Sequence, residues 1–219
     1  MTFDVDFALS TLPFILKGLF TTLWVTVASA LGASILGFVF EVLRRTSRVM
    51  GLLMRFVIDA IRSTPVLVQL YFLYFVLPFW GVVLPALVVG VIGLSVYYSG
   101  YLAEVFKAGI DAIPRGQTEA AKAIGLTRLD VIAFVIAPQM LRNIAAPMGN
   151  YFVSILKATP YLAVIAVPEM LGSALDIGSR TFRYAEPMLV VGAIFLVLAV
   201  AIGQGVRWLE LRLLASAKR

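Results

Sequence analysis

The sequence predicts an all-α integral membrane protein of five transmembrane helices, with its N-terminus outside, its C-terminus inside and a short cytoplasmic helix between the third and fourth spans. Three observations carry this. Mean hydropathy is +0.98 and only 14% of the 219 residues are charged, against roughly 25% in soluble domains. Uncharged runs recur at the length of about 20 residues needed to cross the hydrocarbon core. Lys and Arg are distributed unevenly among the segments between those runs.

The opening "MTFDVDFALSTLPF" is acidic where a signal peptide would be basic, so the first apolar run is expected to be retained as a span. That run, Gly18–Phe40, is closed by Glu41 and the cluster Arg44, Arg45 and Arg48. A second span is expected from about Phe56 to Leu77, carrying Asp59 and Arg62 in its first two turns. Val82–Ala103 is the third. The fourth runs from about Ile144 to Val167 with Lys157 inside it, and Pro187–Val206 is the fifth. The chain is expected to be one transmembrane domain over 1–219, with no soluble domain attached.

Five spans place the termini on opposite sides, and the cation count chooses between them. With the N-terminus outside, the inner segments hold thirteen cations: Arg44, Arg45, Arg48, Arg55, Lys107, Arg115, Lys122, Arg128, Arg142, Arg207, Arg212, Lys218 and Arg219. The outer segments hold three, Lys17, Arg180 and Arg183. The basic excess, 18 Lys and Arg against 12 Asp and Glu, is thereby accounted for as a topology signal rather than a nucleic-acid surface.

Composition removes most chemistries. Without cysteine or histidine there are no disulfides, no zinc or haem ligation by these residues, and no Cys or His nucleophile systems. Neither G-x-S-x-G nor G-x-x-x-x-G-K-[ST] occurs, so the chain carries no hydrolase elbow and no nucleotide-binding P-loop. It is expected not to be an enzyme, with no catalytic residues, no metal and no cofactor of its own.

The longest segment outside the spans, from about residue 107 to 143, contains "EAAKAIG" at 119–125. Pro114 and Gly116 break what precedes, Glu119 suits the N-terminal dipole of a new helix, and Gly125 can supply a left-handed stop. A helix of about two turns is expected, with an alanine face that lets another surface approach closely. A connecting or interfacial loop is the simpler alternative.

Polar groups inside the bilayer are functional candidates because they are costly there. Asn150, Ser154 and Lys157 fall at i, i+4 and i+7 on one face of the fourth span, with Lys157 about 20 Å along it. Arg62 and Gln69 are seven apart on the second, and Tyr97 and Tyr98 bring hydroxyls into the third. Thr64 and Thr159 complete the candidate set. Such a ring could hold a zwitterion, with Lys157 or Arg62 opposing its carboxylate; alternatively Lys157 only locks helices together. Glu104 and Asp59 lie near span ends and Glu169, Asp176 and Glu186 outside spans, so a cationic substrate is less favoured than a neutral or acidic one. The small pairs Ala28 and Gly32, Ala33 and Gly37, and Ser95 and Ser99 mark close helix packing, within the chain or between chains.

The segment "EAAKAIGLTRLDVIAFVIAP" resembles the EAA signature of ABC-importer permeases: Glu119, Ala120 and Ala121, then Gly125, then Val135, Ala137 and Pro138 where the signature has Ile, Leu and Pro. "IRSTPVLVQLYFLYF" at 61–75, "GYLAEVFKAGIDAIPRGQTEAA" at 100–121 and "NYFVSILKATP" at 150–160 are similar to patterns of the polar-amino-acid (histidine/glutamine permease-like) subgroup. The likeness covers about residues 17–214. It implies a permease in the bacterial inner membrane that forms the translocation path as a dimer, with an identical or a paralogous second permease. It implies an ABC ATPase dimer, with ATP and Mg at that partner, and an extracytoplasmic binding protein that delivers amino acids or their derivatives. The 119–125 helix would be the coupling helix, with Glu119 and Gly125 its key residues; the mixed charge of the outer segment 169–186 makes it a candidate contact for the binding protein, with a solvated loop as the alternative. Ala158, Pro160 and Ser63 depart from the subgroup, which leaves the amino acid undefined and admits a modified derivative or compatible solute. A stand-alone secondary transporter or channel is the alternative; no mid-span Asp, Glu or His offers it an ion relay, and no inverted repeat is evident.

Overall fold

In the computed structural model, which describes residues 3–216, the chain is helical from end to end with no strand among the described residues. Lys218 and Arg219, counted in the topology argument, lie outside the described residues. The helices are α1 (Val5–Arg44), α2 (Arg48–Ser63), α3 (Val66–Tyr71), α4 (Ala86–Asp111), α5 (Arg115–Ala123), α6 (Arg128–Asp130), α7 (Ala137–Ala158), α8 (Met170–Thr181) and α9 (Ala185–Ser216). Four of the helical segments, Val5–Arg44, Ala86–Asp111, Arg128–Ile165 and Ala185–Arg212, are each long and apolar enough to cross a membrane.

Helix α1 spans 40 residues, about 60 Å, twice the hydrocarbon thickness. Asp4 caps it by accepting from the Phe7 amide at 3.0 Å. One seam of α1 is buried, running through Ala8, Thr11, Ile15, Gly18, Thr22, Val25, Ser29, Ala33, Gly37 and Glu41 at steps of three and four. Most seam residues are small or hydroxylated, whereas Phe20, Leu31, Ile35 and Val39 stand exposed on the opposite side. Size rather than hydrophobicity separates the two faces, as expected where lipid is as apolar as the protein interior.

The seam meets α4 in the most extensive helix pair of the fold. A Cβ on Gly37 would stand 2.9 Å from the Ser99 carbonyl oxygen and 3.0 Å from the Ala103 nitrogen. Ser29 Oγ donates to the Val91 carbonyl and Ser95 Oγ to the Ser29 carbonyl, both at 3.4 Å. Gly32, Gly37, Ser95 and Ser99 therefore pack within the chain. Further along, α8 begins against α1: the Met170 amide donates to Thr22 Oγ1 at 3.2 Å, and a Cβ on Gly18 would lie 2.6 Å from the Glu169 carbonyl carbon. Ile15, Met170, Ala174 and Val191 form a second small core of α1, α8 and α9.

The expected second span is broken. Pro65 disfavours helix at Thr64 and contributes no amide hydrogen, so α2 stops at Ser63 and the axis turns by 98° into the segment Val66–Trp80. Gln69 Nε2 holds the elbow by donating to the Ile61 carbonyl at 2.9 Å and the Thr64 carbonyl at 3.3 Å. The chain continues through a π-helical stretch, Phe72–Val76, and a 3-10 stretch, Leu77–Trp80. The fourth helical run is longer than the sequence suggested. It starts at Arg128, passes a π-helical stretch at Val131–Ile136 that accommodates Pro138, and ends as 3-10 helix over Thr159–Ile165. Lys157 sits in the last turn of α7, two residues before the run tightens to 3-10 helix.

Glu169 caps α8 in the connection between α7 and α9. Its Oε1 accepts from the Gly172 amide at 2.5 Å, while Oε2 is buried without a hydrogen-bond partner. Burial raises its pKa from 4.5 to about 7, against the lowering effect of the Leu171 and Gly172 amides.

Two outcomes follow. The folded state binds the Glu169 proton more tightly than the unfolded chain does, so its contribution favours folding at low pH. Stability should fall as pH rises from about 4.5 to about 7, by roughly 3 kcal/mol from this group; thermal melts of wild type and Glu169→Gln should diverge over that window and the variant should be the more stable at pH 8. Gly18→Ala gains roughly 0.5–1 kcal/mol of helix propensity but drives a methyl into backbone, an overpacking cost of about 1–3 kcal/mol, so its melting temperature should fall.

Candidate functional site

Two regions gather the residues singled out by sequence. The first is α5. Pro114 fixes its start, with Arg115 as the first helical residue, so Gly116 lies inside the helix instead of breaking the chain before it. Glu119 consequently falls in the middle of α5 and not in a first turn, and the helix-dipole argument for it does not hold. The C-terminal stop is where the sequence placed it. Gly125 adopts φ +85°, its amide donates to the Lys122 carbonyl at 3.0 Å, and the Leu126 amide donates to the Ala121 carbonyl at 3.2 Å. This pair of bonds closes the helix as a Schellman motif.

Thr127 then starts the next helical run with a capping box. The Asp130 amide donates to Thr127 Oγ1, and Asp130 Oδ2 accepts from the Thr127 amide at 3.2 Å. Of α5 only Ala121 is buried, the helix packing against the π-helical stretch at 131–136; Glu119 and Ala120 are exposed. Beside α5, Ile124 and Leu129 are each 78% exposed and Phe134 is 72% exposed. A short, firmly stopped helix thus stands amid large apolar side chains that the chain itself leaves uncovered.

The second region lies between α2, α4 and α7. Tyr98 is buried and its hydroxyl donates to the Ser154 carbonyl at 3.0 Å, joining α4 to α7. Tyr97 and Tyr101 hydroxyls are 3.2 Å apart, and the Tyr101 hydroxyl reaches the Arg62 carbonyl at 3.4 Å. The Arg62 guanidinium stands 5.3 Å from the Tyr101 ring centre, and the Tyr151 ring packs 5.8 Å from that of Tyr101. Next to this cluster a cavity of about 550 Å3 is lined by Ala146, Pro147, Asn150, Tyr151 and Ser154. A second, of about 400 Å3, lies along Ala60, Ile61, Thr64, Gln69, Phe72 and Val96.

The structure divides the sequence candidates. Asn150, Ser154, Tyr98 and Arg62 come together around the tyrosines. Gln69 holds the elbow and Thr64 Oγ1 donates to the Ala60 carbonyl at 2.6 Å, both beside the second cavity; Ser154 Oγ donates to the Asn150 carbonyl at 3.0 Å, and buried Thr159 Oγ1 donates to the Leu156 carbonyl at 2.8 Å. Lys157 is exposed, lines neither cavity and forms no ion pair among the described residues. It is not a helix lock between described acids. Tyr101 and Tyr151 were missed by sequence reasoning, although Tyr97, Tyr98 and Tyr101 stand at i, i+1 and i+4, and Tyr151 follows Asn150 directly.

In the 169–186 segment, Arg180 pairs with Asp176 at 3.0 Å, and Arg183 with Glu186 at 2.5 Å and Asp4 at 3.3 Å. Arg183 also lies 4.0 Å from the Phe7 ring centre. Much of the mixed charge read there as a surface contact is satisfied within the chain, fastening the start of α9 to the start of α1.

Comparison with known proteins agrees with this architecture. Residues 29–215 match the family model described as binding-protein-dependent transport system inner membrane component. A probable amino-acid ABC transporter permease protein, y4tG, of Sinorhizobium fredii is 40% identical over 211 residues, covering 96% of this chain and 91% of the relative. The arginine transport system permease protein ArtQ of Bacillus subtilis is 32% identical over 202 residues, covering 91% and 92%. A chain in the crystal structure of an amino acid ABC transporter with histidines superposes with a TM-score of 0.90 at 33% identity, covering 97% of this chain and all of that one. Helices that cross the bilayer on small-residue seams, an exposed α5 closed at Gly125 and a match over 187 of 219 residues lead to one conclusion: the chain belongs to the binding-protein-dependent transport system inner membrane components, as a multi-pass permease subunit of an ABC transporter.

Proposed function

We propose that this permease takes up amino acids or amino-acid derivatives through an ATP-driven complex, with α5 as the helix through which an ATPase subunit drives it. One observation carries the reading. Helix α5 is stopped by a Schellman motif and held at one end of the bundle by a single buried alanine, with exposed Ile124, Leu129 and Phe134 beside it. A partner groove that accepted α5 would cover these side chains. Glu119, Ala120, Ala121 and Gly125 are the coupling residues on this reading, with the N-terminus outside and α5 in the cytoplasm.

The chain's own part in transport is positional. ATP and Mg belong to the partner ATPase dimer, a second permease, identical or paralogous, completes the path, and an extracytoplasmic binding protein supplies substrate. Motion of α5 biases the spans between two states, and the loaded binding protein biases them from the far side. The tyrosine-lined region between α4 and α7, with Asn150 and Ser154 at its cavity, is the proposed substrate contact. Lys157, without an acid partner among the described residues, is available to a carboxylate. Relatives whose names cite arginine and histidines differ in side chain and share the amino-acid carboxylate and ammonium, which supports a contact to the common part.

Two experiments test this in proteoliposomes holding the permease, its ATPase and its binding protein. Gly125→Val places a β-branched residue at φ +85°, costing about 1–2 kcal/mol; binding-protein-stimulated ATP hydrolysis should fall about 5–30-fold, and unchanged hydrolysis would remove α5 from coupling. Lys157→Met should weaken uptake of a carboxylate substrate about tenfold or more, the loss of a charge-assisted bond, while stimulated ATP hydrolysis persists. Uptake that continued without ATP and collapsed with an uncoupler would favour a stand-alone transporter instead.

A further inference from the structure

We infer that Glu41 is a positioning residue that holds α5 at a fixed distance from the end of α1, acting through Arg44 and Arg45. The inference rests on the proposed coupling role of α5 and extends it to a helix that does not touch the ATPase-facing segment in sequence.

Glu41 is 1% exposed, and its two oxygens are taken by two different guanidiniums. Oε2 accepts from Arg44 Nε at 2.6 Å and Oε1 from Arg45 Nε at 2.5 Å. Each arginine then reaches across to α4. Arg44 Nη1 donates to Glu104 at 2.6 Å and Nη2 to the Ala103 carbonyl at 3.3 Å, while Arg45 Nη2 donates to Asp111 at 2.7 Å. Glu104 and Asp111 are seven residues apart, so they share one face of α4 two turns apart. The network therefore fixes α4 against α1 at two heights, which sets the direction of the α4 axis as well as its distance.

Asp111 is the last residue of α4, and only Ala112, Ile113 and Pro114 separate it from α5. Pro114 stiffens that link. Arg45 also forms one wall of a cavity of about 330 Å3 whose other walls include Arg115, Thr118, Glu119 and Lys122 of α5. One guanidinium thus contacts the buried hub, the end of α4 and the space beside α5. A buried carboxylate among ion pairs contributes little net stability, since desolvation offsets the attraction, but it narrows the geometries open to its partners. Removing the charge of Glu41 leaves both arginines their α4 acids and releases the constraint that orients them.

The chain has no cysteine, so spin labels can be placed at Thr46→Cys, at the end of α1, and Gly116→Cys, where an added Cβ meets nothing within 4 Å. In the assembled complex the distance between these labels should be narrowly distributed, broadened by Glu41→Gln and by Arg45→Gln, and narrowed again by Arg45→Lys. The ratio of binding-protein-stimulated to basal ATP hydrolysis should fall about tenfold in Glu41→Gln, within the range for residues coupled in one network, with basal hydrolysis retained. An unbroadened distance with an unchanged ratio in Glu41→Gln overturns the inference, as does a lowered melting temperature with both readouts intact, which marks a stabilising role only. If the wild-type complex shows no stimulation while the distances respond as stated, the ATP-driven reading fails and the positioning role of Glu41 stands.

Discussion

The close approach of α1 and α4 is the constraint on which the other helices depend. Between helices in lipid no water is released by burying apolar side chains, so association rests on packing and on hydrogen bonds between helices. Gly37 against the Ser99 carbonyl, with Ser29 and Ser95 bonding to carbonyls across the contact, provides both. A larger side chain on this seam would separate the helices and detach everything held by α4. That includes the elbow of α2 and α3, which rests on Gly93 and Gly100 of α4, and the Tyr98 bond to α7.

Charge fixes the two ends of α1. At one end Glu41, Arg44, Arg45, Glu104 and Asp111 join α1 to α4 directly above α5. At the other, Arg183 joins Asp4 to Glu186, and Glu169 closes the start of α8 on Gly18. The difference between the ends is physical. Every carboxylate oxygen of Glu41 has a cationic partner, whereas Glu169 has one buried oxygen with no partner. Burial raises the pKa of Glu169 to about 7, so that end of the helix responds to proton concentration near neutrality.

Between the ends, irregular helix supplies the polar region. Pro65, Pro138 and Pro160 each interrupt the regular bonding of a helix near a π, 3-10 or extended stretch. Freed carbonyls are met by Gln69 and the Tyr101 hydroxyl at the elbow and by Thr159 Oγ1 before Pro160, while the Tyr98 hydroxyl adds a bond to the Ser154 carbonyl of α7. Several polar side chains do both: Gln69 and Thr64 bond backbone carbonyls and line one cavity, Ser154 bonds the Asn150 carbonyl and lines the other with Asn150, and buried Thr159 serves the backbone alone.

The sequence by itself determined the membrane class, the apolar runs behind the long helices, and the stop of α5, because these depend on local quantities. Hydropathy over 20 residues, a proline at Pro114 and a glycine at Gly125 act within one or two turns. It misjudged Glu119, because Pro114 and not Gly116 sets the first residue of α5. It also drew the second span as continuous across Thr64 and Pro65, where the direction of the turn depends on Gln69 reaching back to carbonyls. The stop of α5 was legible because the positive φ at Gly125 suits glycine. Only the tertiary structure decided that the glycine and serine pairs pack within the chain, that Lys157 takes no described acid as partner, and that Glu41 joins two arginines. A charge pattern gives the number of partners a side chain can have; which partner it takes depends on helix contacts between residues sixty or more apart in sequence.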